Sequence, residues 1–408
     1  MLDVIVIGGG AAGLTAAIRS ASLGAHTLLL ERGPRAGRKL LLTGGGRCNL
    51  ALDRDAAAFV RDCGPQARFL HNAIGRFDCA ATRAWFGELG LATIREPDGR
   101  CFPASGRALD VLRVLESGLA RTRVQVAYEV RVTRISRVGA SFQVQAGTTS
   151  HEARSVILAT GGLSYPDTGS SGDGYGIAAA LSHRVVGQVP GEVPLVAGPA
   201  WIRELSGLGL EDVVARFVQG KRSVEVRGAL LFTHFGVSGP AVLDGSRLVA
   251  RWFGGGPVAL MLDLVPDISL EELDRDLELS AASGERRSVR TMLRHHLPER
   301  LANGIVANVL SGGDARVAGL PARSRRELAM SLKGLALTVT GTRGFAEAVV
   351  TIGGVDTSQV HPVTLESRLV PGLHFAGELL DVDGPRGGYN LQIAWSTGFA
   401  AGTHAAGK

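Results

Sequence analysis

"DVIVIGGGAAGLTAAIRSASLGAHTLLLE", Asp3 to Glu31, decides the fold. Val4 to Ile7 is an unbroken apolar, β-favouring run, and Leu14 to Leu23 carries the apolar spacing of a helix. Gly24 ends that helix, and His26 to Leu30 reads as a second strand that finishes on Glu31. Between first strand and helix, Gly8, Gly10 and Gly13 form Gly-x-Gly-x-x-Gly. The first glycine permits the turn, the second lets backbone reach a pyrophosphate at the helix N-terminus, and the third permits close helix packing. Glu31, eighteen residues after Gly13, is placed to accept hydrogen bonds from an adenosine ribose, and its charge argues against a 2′-phosphate. The reading is a Rossmann-like α/β domain that binds a dinucleotide.

The chain of 408 residues, 45% hydrophobic and 20% charged, has room for two or three domains with a sizeable core. Its 56 glycines show no collagen-like period, which implies many tight turns and close backbone approaches. The formal charge of +6 is almost entirely arginine, since lysine occurs only at 39, 221, 333 and 408. Cys48, Cys63, Cys79 and Cys101 include no Cys-x-x-Cys pair and no nearby histidine at zinc spacing, so neither a disulfide framework nor a metal site is expected. The apolar start lacks a basic leading region, and no other run approaches membrane-span length; a soluble, cytoplasmic protein is expected.

Further along, "ATRAWFGELGLATIREPDGRCFPASGRALDVLRVLESGLA" reads as helix, strand with turn, and helix, with Ser105 as the last helix's cap. Alternating apolar residues in "VQVAYEVRVTRIS" and "SFQVQAG" predict a small sheet. Beyond Pro190, short β-type segments run to Pro266, and Leu270 to Gly334 is helical in composition. From Phe345 onward, strands, glycine turns and a final helix return. The predicted organisation is a cofactor domain over 1–190, a β-barrel-like insertion over 191–268, a helical insertion over 269–335, return strands over 336–352, and the rest of the cofactor domain over 353–408.

Two segments favour FAD over NAD as the resident dinucleotide. "VILATGG", Val156 to Gly162 and including Thr160 and Gly161, is the strand-to-loop crossing expected near an FAD adenosine. "GLHFAGELLDVDGPRGGYNLQIAWSTGFAAG" has the form of a flavin-closing C-terminal segment. In it Gly377 and Glu378 are expected near the ribityl phosphate, while the turn through Gly388, Tyr389, Asn390 and Leu391 opens a helix toward the flavin ring. A helix N-terminus there would stabilise the charge that reduced flavin develops near N1 and O2. No second Gly-x-Gly-x-x-Gly follows a strand, so NAD(P)H, as the reductant, would bind transiently.

Together with "GRKLLLTGGGRCNL", "GRCFPASGRALDVL", "ATGGLSYPDTGSSGDGYGIA" and "LLFTHFGVSGPAVL", the C-terminal segment makes a likeness specific. It resembles the aminoacetone-oxidase-type family of FAD-binding flavoproteins, which also contains bile-acid-intermediate reductases and ribosomal RNA dihydrouridine synthases. The resemblance implies a glutathione-reductase-like FAD domain interrupted by a β-barrel-like domain and a small helical domain. It places Arg38 and Lys39 beside phosphate, and brings backbone N–H groups of Thr43, Gly44, Gly45 and Gly46, followed by Arg47, to the flavin's pyrimidine edge. One departure is "CNLAL", where Ala51 and Leu52 replace an expected Thr-Asn pair.

The chemistry implied is reduction of a carbon–carbon double bond conjugated to a carbonyl, which needs a hydride donor, a group polarising the carbonyl and an acid for the α-carbon. Cys48 reads either as that acid or as a small buried residue. His234, in "LFTHFGVSGP" before a helix start at Pro240, reads either as a substrate-facing group or as a hydrogen-bonded histidine. Tyr165 and Tyr389 either line the flavin or pack. Residues 284–333 hold ten Arg or Lys against four Asp or Glu, with Arg287, Arg290 and Arg294 at helical spacing. That face suits RNA phosphates, and equally a solvated helix in an arginine-biased protein. The leading expectation is an NAD(P)H-driven FAD reductase of a conjugated bond, in ribosomal RNA uridine or a small enone. An oxygen-using amine oxidase and an RNA-binding flavoprotein with little turnover are the alternatives.

Overall fold

Val4, Ile5 and Val6 are fully buried, as a strand covered on both faces requires, and each such side chain contributes about 1.5–3 kcal/mol by leaving water. They lie at the centre of the first of two units in the computed structural model, which describes residues 1–282, 287–310 and 314–407. This unit joins residues 1–190 to those from Val349 onward; the second spans Gly191–Ala348.

In the first unit, strand Leu2–Ile7 pairs in parallel with Thr27–Leu30 on one side and with Thr149–Leu158 on the other. Gln125–Ala127 adds to one edge, and Leu373–Phe375 pairs in parallel with Thr149–Leu158. The Thr149–Leu158 strand serves two sheets' worth of pairing. Its first half continues an antiparallel meander with Val132–Val138 and Ser141–Ala146, the small sheet predicted from alternation. The last helix, Tyr389–Ala405, lies against the first, Ala11–Ser22, at glycine contacts: a β-carbon on Gly398 would stand 2.3 Å from the Ala12 carbonyl oxygen, and one on Gly402 2.5 Å from that of Ala16. Ser105 does not cap the Ala108–Arg121 helix; Arg107 holds the cap position, and the Ser105 hydroxyl meets Asp110 instead.

The second unit is a closed six-stranded barrel. Its order is Leu195–Gly198, Gly236–Ser238, Arg222–Thr233, Gly209–Gln219, Val258–Asp263 and Leu335–Thr342, which returns to Leu195–Gly198. Leu335–Thr342 was expected among the return strands; its alternating burial instead makes it a barrel stave. Helices Leu270–Ala282, Glu299–Val309 and Ala322–Lys333 put Leu273, Leu301 and Leu328 into the same core as Phe217, Leu260 and Leu337 of the barrel. Barrel and helices therefore share one apolar interior. Among the described residues no helix is long and apolar enough to cross a membrane.

Candidate functional site

The three parallel strands Leu2–Ile7, Thr149–Leu158 and Leu373–Phe375 end beside one another, tied by Ala159 N–H to the Ile7 carbonyl at 2.9 Å and Ala376 N–H to that of Leu158 at 2.9 Å. Gly8, Thr160 and Gly377, just past those ends, line a single pocket, where open α/β sheets place their ligands. The three motif glycines meet three different demands. Gly8 has φ +105° and a β-carbon there would lie 2.4 Å from the Ala159 carbonyl oxygen. A β-carbon on Gly13 would lie 1.8 Å from the Gly8 carbonyl oxygen. Gly10 borders the pocket with nothing within 4 Å of its β-carbon position, so its lack of a side chain keeps space open rather than relieving a protein contact.

Helix Ala11–Ser22 starts at Gly10 without a side-chain cap or an acidic residue in its first turn, which leaves its N-terminal dipole available to an anion. Glu31 holds the turn: its two carboxylate oxygens accept Gly9 N–H and Gly33 N–H, each at 2.6 Å. Each oxygen keeps a further lone pair for another donor. At the rim, Asp173 accepts from Nε and one terminal nitrogen of Arg131, each at 2.9 Å, and from Arg32 at 3.0 Å, which joins three separate segments. Arg131 hydrogen bonds, ahead of burial, hold the Asp173 carboxyl below the usual range.

Lys39 and Glu378, both expected near phosphate, line the pocket and engage each other at 2.5 Å. Ser164 Oγ accepts from Lys39 at 2.6 Å and donates to Glu378 at 2.6 Å, while Thr351 N–H donates to the same carboxylate at 2.9 Å. Burial raises the Glu378 pKa, but Lys39 and these hydrogen bonds outweigh it and hold the carboxyl below its ordinary value. Lys39 is thus neutralised within the protein. Arg38 also lines the pocket and, half-buried, donates to the Asp167 carbonyl at 2.6 Å. Ser164 and Thr351 were not singled out in the sequence, although Thr351 Oγ1 also accepts Leu163 N–H at 2.8 Å and so fixes the loop after Thr160.

At the other end, Thr43 lines the pocket and Gly44, Gly45 and Gly46 follow with φ of +58°, +63° and +85°. These glycines are exposed, and Arg47 turns to Glu96 at 2.6 Å with its guanidinium 4.0 Å over the Phe102 ring. Cys48 is fully buried, has φ +60°, and does not border the pocket. Burial pushes its thiol up to about 12, against the smaller opposing effect of a Thr43 hydrogen bond. Asn390 and Leu391 border the pocket at the start of the last helix, whose N-terminus also lacks a side-chain cap. The Asn390 amide exchanges two hydrogen bonds with the Gly384 backbone, at 2.9 and 2.8 Å, and thereby holds the turn that precedes the helix. Gly388 packs on the Ala51 backbone, where a β-carbon would stand 2.6 Å from the carbonyl carbon, so the close approach depends on glycine at 388. Tyr389 is directed away, with its ring 4.6 Å from that of Phe59 and its hydroxyl donating to Asp62 at 2.6 Å. Tyr165 does not border the pocket and adopts φ +53° before a short turn.

The remaining candidates belong to the second unit. His234 is exposed on the turn between Arg222–Thr233 and Gly236–Ser238, with its ring 4.9 Å from that of Phe235. Arg287, Arg290 and Arg294 do not share one continuous helical face, because helix Val289–Leu293 is only 5 residues long and capped by Ser288. Arg287 meets His295 at 3.1 Å, Arg290 lies 3.8 Å from Asp314, and Arg294 pairs with Glu299.

A dinucleotide fits these residues. Thr160 Oγ1 is buried without a hydrogen-bond partner among the described residues, on the same pocket as the open Gly10 position and the two uncapped helix N-termini. The described residues contain no cluster of side chains that would hold a metal ion.

Comparison with known proteins agrees with this architecture. The 3-dehydro-bile acid Δ4,6-reductase of Clostridium scindens is 33% identical over 405 residues, 98% of each chain. The ribosomal RNA dihydrouridine synthase of Escherichia coli is 31% identical over 399 residues, 98% of this chain and 96% of that one. The solved structure of 3-ketosteroid-Δ4-(5α)-dehydrogenase from Rhodococcus jostii with 4-androstene-3,17-dione shares the fold with a TM-score of 0.51 at 16% identity, over 99% of this chain and 96% of that one. The model of the HI0933-like protein Rossmann domain matches residues 2–404, and the chain belongs to this family of FAD-dependent oxidoreductases.

Proposed function

We propose that the chain is an NAD(P)H-driven FAD reductase of a carbon–carbon double bond conjugated to a carbonyl. The observation that carries the reading is the pair of uncapped helix N-termini, at Gly10 and at Gly388, that border one pocket. The first suits a pyrophosphate and the second an electron-rich ring edge. Support for the reaction type comes from the full-length relatives in Clostridium scindens and Escherichia coli, whose names both denote saturation of a double bond conjugated to a carbonyl.

Bound FAD supplies hydride transfer. The chain's own contribution is to hold and orient it: Gly8 and Gly10 would admit the pyrophosphate while Gly13 lets the helix close on Gly8, Glu31 and Thr160 would take the adenosine side, and Thr43 with Asn390 and Leu391 would border the ring side. Lys39, Glu378, Gly161 and Gly377 line the middle, where the Ser164–Thr351 hydrogen bonds keep the two loops together. Gly44 to Arg47 serve by their backbone turn. For Cys48, burial and a high pKa favour a positional role over proton donation.

Anaerobic mixing of the purified holoprotein with NADH and with NADPH tests the reductant. Flavin bleaching, followed by recovery of its colour on adding a steroid enone or uridine-containing RNA, is the expected result. Bleaching by an amine and by neither nicotinamide would replace the reductase with an amine oxidase. Between substrates, mass spectrometry of ribosomal RNA from a deletion strain decides: lost dihydrouridine selects RNA, and an unchanged level selects the small enone.

A further inference from the structure

Cys79 and Cys101 take no part in the pocket. Cys79 opens helix Cys79–Glu88 directly after its Asp78 cap, and Cys101 lies on strand Arg100–Pro103. Both side chains are buried, and their sulfurs stand 3.7 Å apart, in contact. A hydrogen bond joins the two sulfurs, and either can be its donor. That bond lowers the Cys101 pKa, with Arg83 and Arg95 acting in the same sense against burial and Asp53. The same hydrogen bond, followed by burial, raises the pKa of Cys79. The two sulfurs share one proton across a 3.7 Å contact, which places each within reach of the other for oxidation to a disulfide.

The geometry points to Cys79 and Cys101 as a dithiol site that hydrogen peroxide converts to a disulfide. The Cys101 sulfur attacks one peroxide oxygen, the O–O bond breaks, and a sulfenic acid and one water result. The Cys79 sulfur then attacks the Cys101 sulfur; the S–S bond forms, the S–O bond breaks, and a second water leaves with the Cys79 proton. Two thiols are oxidised, and one peroxide is reduced to two waters. Closing the sulfurs from 3.7 Å to a bond of about 2.05 Å needs about 1.7 Å of movement, shared between two rotatable side chains.

The site lies beside the segment Arg47 to Ala51. Cys101 pairs across the sheet with Ala51, its carbonyl accepts Leu50 N–H at 2.8 Å, and the next residue, Phe102, carries the Arg47 guanidinium. A disulfide would tie helix Cys79–Glu88 to the strand that supports Arg47 to Ala51. The inference does not depend on the reductase reading, since it concerns thiols and not turnover.

Treating the intact holoprotein with graded hydrogen peroxide, alkylating it and digesting it with trypsin tests the proposal. Cleavage after Arg76, Arg83, Arg100 and Arg107 releases Phe77–Arg83 and Cys101–Arg107. The expected product is these two peptides joined, two hydrogens lighter than their sum, with titratable thiols in denaturant falling from four to two. Cys79→Ser and Cys101→Ser should each abolish the joined peptide, and retained flavin absorbance in those variants reports that they fold. Four surviving thiols under peroxide that fully oxidises glutathione would overturn the proposal. So would sulfinic acid on Cys101 without the joined peptide, or a bridge to Cys48 or Cys63. The wild-type digest decides among these outcomes even where a variant does not fold.

Discussion

Two glycine turns border or flank the same pocket, and they use glycine for opposite reasons. At Gly8 and Gly13 a β-carbon would fall inside neighbouring backbone, 2.4 and 1.8 Å from carbonyl oxygens. At Gly45 and Gly46 a β-carbon would meet nothing within 4 Å, and only the left-handed backbone asks for glycine. The first turn is specified by packing, to which Gly8 adds a left-handed φ, and the second by torsion alone. Packing has no tolerance for a methyl group, whereas a left-handed torsion is a modest and local cost.

Gly13→Ala should therefore produce the largest effect of any single methyl in the site. With backbone on the other side of the clash nothing flexible can give way, and a loss of about 3 kcal/mol or more is expected, read as a fall in melting temperature together with absence of flavin. A variant that melts like the wild type would break the contrast at its stronger end. Gly10→Val separates fold from cofactor: its side chain enters open pocket, so the apoprotein should melt as before while FAD retention weakens roughly a hundredfold, about 2.8 kcal/mol. Normal flavin occupancy in that variant would contradict the pyrophosphate assignment.

The first turn was legible because Gly8, Gly10, Gly13 and Glu31 are contiguous in the chain, and their spacing encodes strand, helix and strand. Thr351 was not, because its role arises only when strand Val350–Val355 pairs with Val185–Gly191 and its hydroxyl meets Leu163 N–H, 188 positions away. The barrel shows the same division: alternation in Leu335–Thr342 marks a strand, but nothing local says that it closes on Leu195–Gly198. Gly398 and Gly402 did carry a signal, small residues four apart on one helix face, which matters only once Ala12 and Ala16 are known to lie opposite. In the arginine segment the stops were also present, Ser288 before the short helix and Pro298 before the next, and the helical spacing of Arg287, Arg290 and Arg294 runs across its ends.

Between the two turns lies the Lys39–Glu378 pair, which makes the comparison pH-dependent. The Glu378 carboxyl is held below its ordinary value of 4.5 in the folded chain, so its ionised form favours folding. That stability is fully present above 4.5 and is lost as pH falls through the lower folded value. Lys39→Met removes the cation and leaves burial opposed only by the Ser164 and Thr351 hydrogen bonds, so the Glu378 pKa should rise. The variant should lose about 2 kcal/mol at neutral pH, less than a fully buried pair because both partners are partly exposed, and the gap between the two proteins should narrow on acidification. A denaturation series that shows both proteins weakening in parallel as pH falls would remove Lys39 as the group that sets Glu378.

At the weaker end, Gly45→Ala should cost about 1 kcal/mol and Gly45→Asn less, since asparagine enters the left-handed region more readily. Cys48 sharpens this limit, because it occupies the same backbone region at φ +60° with a side chain in place. What holds it there is local: Cys48 N–H donates to the Thr43 carbonyl at 2.9 Å, and the thiol hydrogen-bonds the Thr43 side chain. Cys48→Ala keeps the backbone bond and removes one buried atom, so the expected loss is about 1 kcal/mol. Turnover with flavin bound should stay within roughly two-fold of the wild type, since a residue that only fills space makes no contact special to the transition state. A larger fall in turnover at unchanged flavin content would return Cys48 to the role of proton donor. The buried thiol would then have to reach the pocket through movement of Gly44 to Arg47, the segment where glycine is required by torsion alone.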